Sequence, residues 1–477
     1  MTAKFYSKLY EILATYHYNT ERVELMEEVL KYFLTTRNCN LSIPSKAREI
    51  YNNKVASSMK LRAIKKVDSF GDFLKSEWFK QRCVLLHNIP KEFVPEYITM
   101  KCRPFSKIFE EKFGLNISSL WLFSFKLSEY LQFKKYMINF KDETYKFKSK
   151  EEYADLGFVA VPSTSYVEKW KNIVTLSIPE LKRIFSGILS HFELEKVLEM
   201  FSMHLKDIHK DDVHINFSLK PLLRIDENTL VVLNAEYLTR ALPIKYEKML
   251  KDIKEYREAK GKSFEILAQD TLKMLPFKSL TFNVKYGDSS EVDAILEFEN
   301  SLWFVEITSH SLSDRALEGD LIAIKKDLKK SIIKCIKQGK RCFEFCSTQP
   351  LSYYFAKGKI NGVMIIVDGI YPQLNLNTYI DFFTEKIPIY VINWFDLRTL
   401  IDQPELSSFE DFLLWRVQQP MPIISFDEKD YWAFYFDHYT RDEEMKKTFK
   451  TMQEKNLRIF YISYRFNNKE YLEKLIS

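Results

Sequence analysis

Glycine is scarce in this chain, with 11 in 477 residues. Glycine-rich loops that let backbone amides cradle phosphate therefore have little material. Neither G-x-G-x-x-G nor G-x-x-x-x-G-K-[ST] occurs, which sets aside the common nucleotide-binding fingerprints. Cysteine is also sparse: six residues, none in a C-x-x-C pair. Cys342 and Cys346 are the closest two and lack a second Cys pair or a His at zinc spacing. Such usage suits a reducing compartment, so a cytoplasmic location is expected. Long hydrophobic runs are missing. The longest stretch without a charged residue is the 13 residues Phe113 to Phe125, short of the ~18–20 that a membrane span needs. The first twenty residues mix Lys and Glu with apolar positions and do not read as a secretory signal. Charge of one sign is not in large excess either: the net +6 permits a polyanionic partner without requiring one.

Apolar material is plentiful, at 46% hydrophobic and 15% aromatic residues, enough for two or three packed domains. Residues 1–214 read as a mainly helical region. "TERVELMEEVLKYFLTT" carries apolar residues at helical spacing behind Thr20 as N-cap. "SIPELKRIFSGILSHFELEKVLEMFSMHLKDI" does the same behind Ser177, with Pro179 near its start. The four His between His191 and His214 follow no metal spacing beyond His209 and His214 and read as surface or packing residues. The pattern changes near Asn216. "SLKPLLRI" and "TLVVLNA" flank Asp226-Glu227-Asn228 as a β-hairpin, and a long polar helix is expected from Glu236 to Lys260. Then come an amphipathic helix ("GKSFEILAQDTLKML"), three strands ("SLTFNVKY", "EVDAILEFE", "SLWFVEITS") and a long helix ("LEGDLIAIKKDLKKSIIKCIKQ"). An apolar strand follows ("NGVMIIVDG"), and "IPIYVINWFDLRTLI" adds a strand and a helix. The expected fold class is mixed α+β and α/β. Its parts are the helical region 1–214, an α-β-β-β-α-β segment with a central mixed sheet within 215–400, and an extension over 401–477 of unassigned fold.

The two strands around Asn300 allow a register argument. A two-residue turn at Glu299-Asn300 sets Asp293 opposite Glu306 and Glu291 opposite Thr308. Directly opposed residues share a face, with Cβ atoms about 5 Å apart. "LWFVEIT" is apolar on both faces, so Glu306 is expected to be desolvated. Two such acids repel, and a buried carboxylate needs a partner. A hard divalent cation such as Mg²⁺ answers both needs. Glu265, on the preceding helix, is a third candidate acid.

With these residues in place, the segment 255–400 resembles the PD-(D/E)xK nuclease superfamily, which has a restriction-endonuclease-like fold. The resemblance rests on Glu265 in the first helix, Asp293 in "EVDAIL" and Glu306 in "FVEIT". It implies that Asp293, Glu306 and the Ile307 carbonyl ligate Mg²⁺ or Mn²⁺, with Glu265 direct or through water. It also implies phosphodiester hydrolysis on DNA, in restriction, phage defence or repair, and a homodimer. One position departs from the pattern. The family lysine belongs two residues after the Glu, where this chain has Thr308. The hydroxyl can hydrogen-bond a water but carries no charge. Lys285, Lys325, Lys326 and Lys329 are candidate replacements. A catalytically inactive nuclease-fold protein, acting as a nucleic-acid-binding or assembly module, is the competing reading. The run "FKKYMINFKDETYKFKSK" interleaves aromatic and basic residues, as a single-strand-binding surface does.

Overall fold

The turn at Glu299-Asn300 fixes the frame in which the acids sit. Phe298 donates its N–H to the Ser301 carbonyl at 2.9 Å, which closes a two-residue hairpin. Glu410 clamps the turn, accepting from the Asn300 N–H at 2.8 Å and the Ser301 hydroxyl at 2.7 Å. The flanking segments are rich in β-branched and aromatic residues, which pack well on a pleated surface. They pair Glu297 with Leu302, Leu296 with Trp303, Ile295 with Phe304 and Ala294 with Val305. This is the register that the two-residue turn dictates.

The computed structural model describes residues 2–19, 23–50, 89–138, 159–208, 217–287, 290–310, 312–317, 321–348, 360–370, 387–418, 421, 423–424, 428–455 and 459–460. The chain divides into two compact units: Met1–Leu61 with Val94–Asp252, and Arg62–Phe93 with Ile253–Ser477. The division falls at Asp252, so the hairpin near residue 225 lies with the first unit.

The second unit begins with helix α1 (Lys254–Leu272) and strands β1 (Ser279–Tyr286), β2 (Ser290–Glu297) and β3 (Ser301–Thr308). Helices α2 (Leu321–Lys330) and α3 (Ile332–Thr348) follow, then β4 (Ile360–Val367), β5 (Ile389–Asn393) and α4 (Trp394–Ile401). The sheet order is β1-β2-β3-β4-β5. Its first three strands are antiparallel and its last three parallel, so the sheet is mixed. β3 is buried on both faces from Ser301 to Glu306. Helix α3 packs on β3 and β4. Gly339 makes this close approach possible, because a Cβ there would lie 2.7 Å from Val363 Cγ1. Leu328, Ile332, Cys335 and Ile336 pack on Val363, Ile365 and Val391, while Cys342 and Cys346 pack on Leu302 and Phe304. Beyond α4, the stretch without an assigned fold forms helices α5 (Phe409–Arg416), α6 (Glu428–Phe434) and α7 (Glu443–Glu454).

The first unit is mainly helical, with a four-stranded mixed sheet built from very short strands. Their order is Thr175–Ser177, Thr229–Val232, Leu222–Arg224 and Ser202–His204. The last two strands run parallel and the others antiparallel. Two of these strands lie inside the region expected to be helical. The helix behind Ser177 is capped as expected, by a full capping box with Glu180. It ends at Phe185, however. Gly187, at φ 80°, turns the chain, and a second capping box at Ser190 and Glu193 starts the helix His191–Phe201.

Two expected long helices are likewise divided. Residues 236–260 form Glu236–Arg240, Leu242–Leu250 and the start of α1. Pro243 opens the second of these, and Ile253 adopts an extended conformation before the third. The helix expected from Leu317 to Gln338 breaks into α2 and α3 at Ser331, whose hydroxyl donates to the Asp327 carbonyl at 2.8 Å, a bond that bends helices. Thr20, His209, His214 and residues 139–150 of the aromatic-basic run lie outside the described residues.

Candidate active site

The β2–β3 ladder stops one rung short of where the register carries it. Phe298–Ser301 is a hydrogen-bonded pair, and such pairs recur every second residue. The Ile307 N–H would therefore bond to Val292. Instead it donates to Asp293 Oδ2 at 2.6 Å. The Asp293 carboxylate thus reaches across to β3 at the residue following Glu306. Ladder register sets Asp293 against Glu306 on the face that also carries Ile295, Phe304 and Leu302. That face lies under α3. Glu306 is 3% exposed, and its Oε1 is buried with no hydrogen-bond partner.

Both acids are shifted upward. Burial raises Asp293 to about 6, and the charges of Glu265 and Glu291 add to it. The bond from the Ile307 amide and the Lys262 ammonium oppose the rise. Burial also raises Glu306, to about 9. The Asp293 charge adds to this and Lys334 opposes it. Asp293 therefore ionises first, and its charge then helps hold the Glu306 proton. The Cys335 thiol beside them is pushed up by burial and by the charges of Glu306 and Asp293.

Glu265 is close enough for its charge to act on Asp293, but other residues engage it. Lys262 Nζ donates to its Oε1 at 2.7 Å and Gln269 Nε2 donates to the same atom at 3.1 Å. Among the described residues, no group of three or more His, Cys, Asp and Glu side chains converges to hold a metal ion. Two acids and a main-chain carbonyl are what the hairpin offers. Thr308 lies two residues beyond Glu306 on the same strand. Its hydroxyl accepts the His310 N–H at 3.3 Å, and its carbonyl accepts the Asp368 N–H at 3.1 Å. Lys285 pairs across the strands with Glu291. Lys325, Lys326 and Lys329 are exposed on α2.

The cations that act on the two acids are Lys262 and Lys334, and neither was among the sequence candidates. Lys262 had a readable signal, since it sits one helical turn before Glu265. Lys334 had none, because its position depends on how α3 lies over β3. His310 was also missed. Its ring lies 3.8 Å from Asp327, and Asp327 accepts both the N–H and the hydroxyl of Ser313, at 2.8 and 2.7 Å. Burial holds the imidazole below its ordinary value, and Lys260 and Lys330 push the same way against Asp327. Among the described residues, no helix is long and apolar enough to cross a membrane. No protein-family model matches the chain, and no curated protein or solved structure is significantly similar to it.

Proposed function

We propose that the second unit is a restriction-endonuclease-like core, and that its Asp293–Glu306 pair binds a divalent cation for hydrolysis of DNA phosphodiester bonds. The observation that carries this reading is the buried, unpartnered Glu306 Oε1 beside a second, half-buried acid. A fold gains nothing from a buried carboxyl set against another acid with one oxygen unanswered, because an unsatisfied buried polar group costs stability. The donor set suits Mg²⁺ or Mn²⁺. Such ions prefer oxygen, keep several waters, and are commonly held by one or two carboxylates together with substrate phosphate. A full cage of three side chains is not required. Asp293, Glu306 and the Ile307 carbonyl would hold the ion, with Glu265 one step removed.

When bound, a divalent ion lowers the pKa of its water and offsets charge building on the phosphate. The chain's own groups have separate tasks. The Ile307 amide fixes the rotamer of Asp293. Burial under α3 keeps water from screening Glu306. Lys334, whose charge acts on Glu306, takes the electrostatic part of the lysine that Thr308 replaces. Lys262 does the same from α1 beside Asp293.

Plasmid DNA incubated with Mg²⁺ or Mn²⁺ tests the proposal. The wild type is expected to cut, and Glu306→Gln and Asp293→Asn to lose about 100-fold or more, since metal stabilisation of the transition state is worth several kcal/mol. Cutting that survives in both variants would place the activity elsewhere. A specific observation supports a second reading, a nucleic-acid-binding module without catalysis: Thr308 at the lysine position. Binding of DNA without cleavage at any divalent ion would select it.

A further inference from the structure

One face of the α2–α3 pair carries a run of exposed basic residues. Residues 325–341 hold eight Lys and Arg and a single acid, Asp327. That acid is buried and committed to Ser313. Lys326, Lys330, Lys334, Lys337 and Arg341 follow one another at intervals of four, four, three and four residues, and all are exposed. Hydrogen bonding continues through the Ser331 turn, from Ser331 N–H to Asp327 and from Cys335 N–H to Ser331, both at 3.0 Å. The five therefore lie as a stripe along one side of the bent α2–α3 pair. The opposite face packs into the core through Leu328, Ile332, Cys335 and Ile336.

Other surface helices of this protein treat lysine differently. Lys8 is paired with Glu11 at 2.6 Å, Lys46 with Glu49 at 2.7 Å, Lys273 with Asp270 at 2.6 Å and Lys446 with Glu443 at 2.6 Å, each one turn away. Among the described residues, no carboxylate forms an ion pair with any of the five on the stripe. Like charges one turn apart disfavour a helix. A solvated helix would interleave acids, as the others do.

We infer that this stripe is the docking surface for the phosphate backbone of a nucleic acid. It runs along the outer face of α2 and α3, whose inner face packs on the sheet that carries the two acids. A bilayer fits less well. Surface helices that enter lipid present a row of apolar side chains beside the basic ones; here Ile322, one turn before Lys326, is exposed, but Ile332, Ile333 and Ile336 are packed inward. The choice of nucleic acid as the polyanion rests on the function proposed above.

Fluorescence anisotropy with the full chain, EDTA and a labelled DNA duplex of about two helical turns measures docking without chemistry. The triple variant Lys326→Gln, Lys337→Gln, Arg341→Gln leaves the residues around the acids untouched. It is expected to weaken binding and to lower the slope of log K against log salt by about 2–3, close to one unit per lost phosphate contact. The control triple Lys46→Gln, Lys126→Gln, Lys171→Gln is expected to bind as the wild type does. Circular dichroism verifies folding, and the single Lys337→Glu serves if the triple melts early. Unchanged affinity and slope in the stripe variants overturn the inference. So does tighter binding to vesicles of equal parts phosphatidylcholine and phosphatidylserine than to DNA at the same salt. An RNA duplex run in parallel tells which backbone is preferred. Docking that persists in a protein that never cleaves removes the catalytic reading alone. Glu306-dependent cleavage with no stripe effect removes the docking surface alone.

Discussion

Glu428 and Glu306 are both buried acids of the second unit, and they meet opposite surroundings. Glu428 accepts from Arg416 Nε at 3.0 Å, from Arg416 Nη2 at 2.9 Å and from the Tyr390 hydroxyl at 3.1 Å. The guanidinium also stacks 3.6 Å from the Tyr431 ring. Glu306 has a second acid beside it, one oxygen with no partner, and a cation only near enough to act through space. The first arrangement is what a fold needs in order to bury charge. The second stays stable only while Glu306 keeps its proton or a cation arrives. On the proposed function, the contrast separates a structural carboxylate from one kept for a ligand.

The largest effect is expected at the structural pair. Arg416→Met leaves Glu428 buried and unanswered. It should lower the stability of the second unit by about 3–5 kcal/mol, a typical figure for breaking a buried pair, as read from urea unfolding. Glu306→Gln should act in the opposite sense. In metal-free protein at pH 8 it relieves an acid held far from its ordinary range. A stabilisation on the order of 2 kcal/mol, or roughly 5 °C in Tm, is expected, together with the loss of cleavage already described. A fall in Tm would place Glu306 with Glu428 as a structural acid.

The pH dependence sharpens the same comparison. A folded-state pKa raised from 4.5 to about 9 means that folding favours protonated Glu306. Its contribution is whole below pH 4.5 and is lost as pH rises through 9. Thermal melts of metal-free wild type should therefore fall across that window, and Glu306→Gln should flatten the fall. Lys245 in the first unit works the other way. Burial lowers it from 10.5 to about 7 while its ammonium donates to the Met200 and Leu219 carbonyls, both at 2.7 Å. Its contribution is whole above pH 10.5 and lost as pH falls through 7. Lys245→Met should remove that slope from the first unit alone. The smallest effect belongs to Lys334→Ala. The residue is exposed, so Tm should barely move while cleavage falls about tenfold, or ~1.4 kcal/mol in the transition state. Unchanged cleavage would mean that Lys262 alone supplies the charge.

The hairpin was the most legible part of the site. Its turn holds two residues and its strands are apolar, so only one register buries the right side chains, and Ala294 faces Val305 as that register requires. The capping box at Ser177 and the apolar strand β4 were readable for similar local reasons. The three-residue strands Thr175–Ser177 and Ser202–His204 were not, because they are too short to show alternation. Nor were Lys334 and His310, whose roles arise from the packing of α2 and α3 against the sheet. The clamp of Glu410 on the turn lies 110 residues away in sequence and left no local trace.

The central claim is that Asp293 and Glu306 share a cation, and isothermal titration with Mn²⁺ at pH 8 tests it most directly. One ion should bind per wild-type chain, with no saturable binding to Asp293→Asn or Glu306→Gln, each verified as folded. Absence of binding to the wild type, or equal binding to all three proteins, would contradict it.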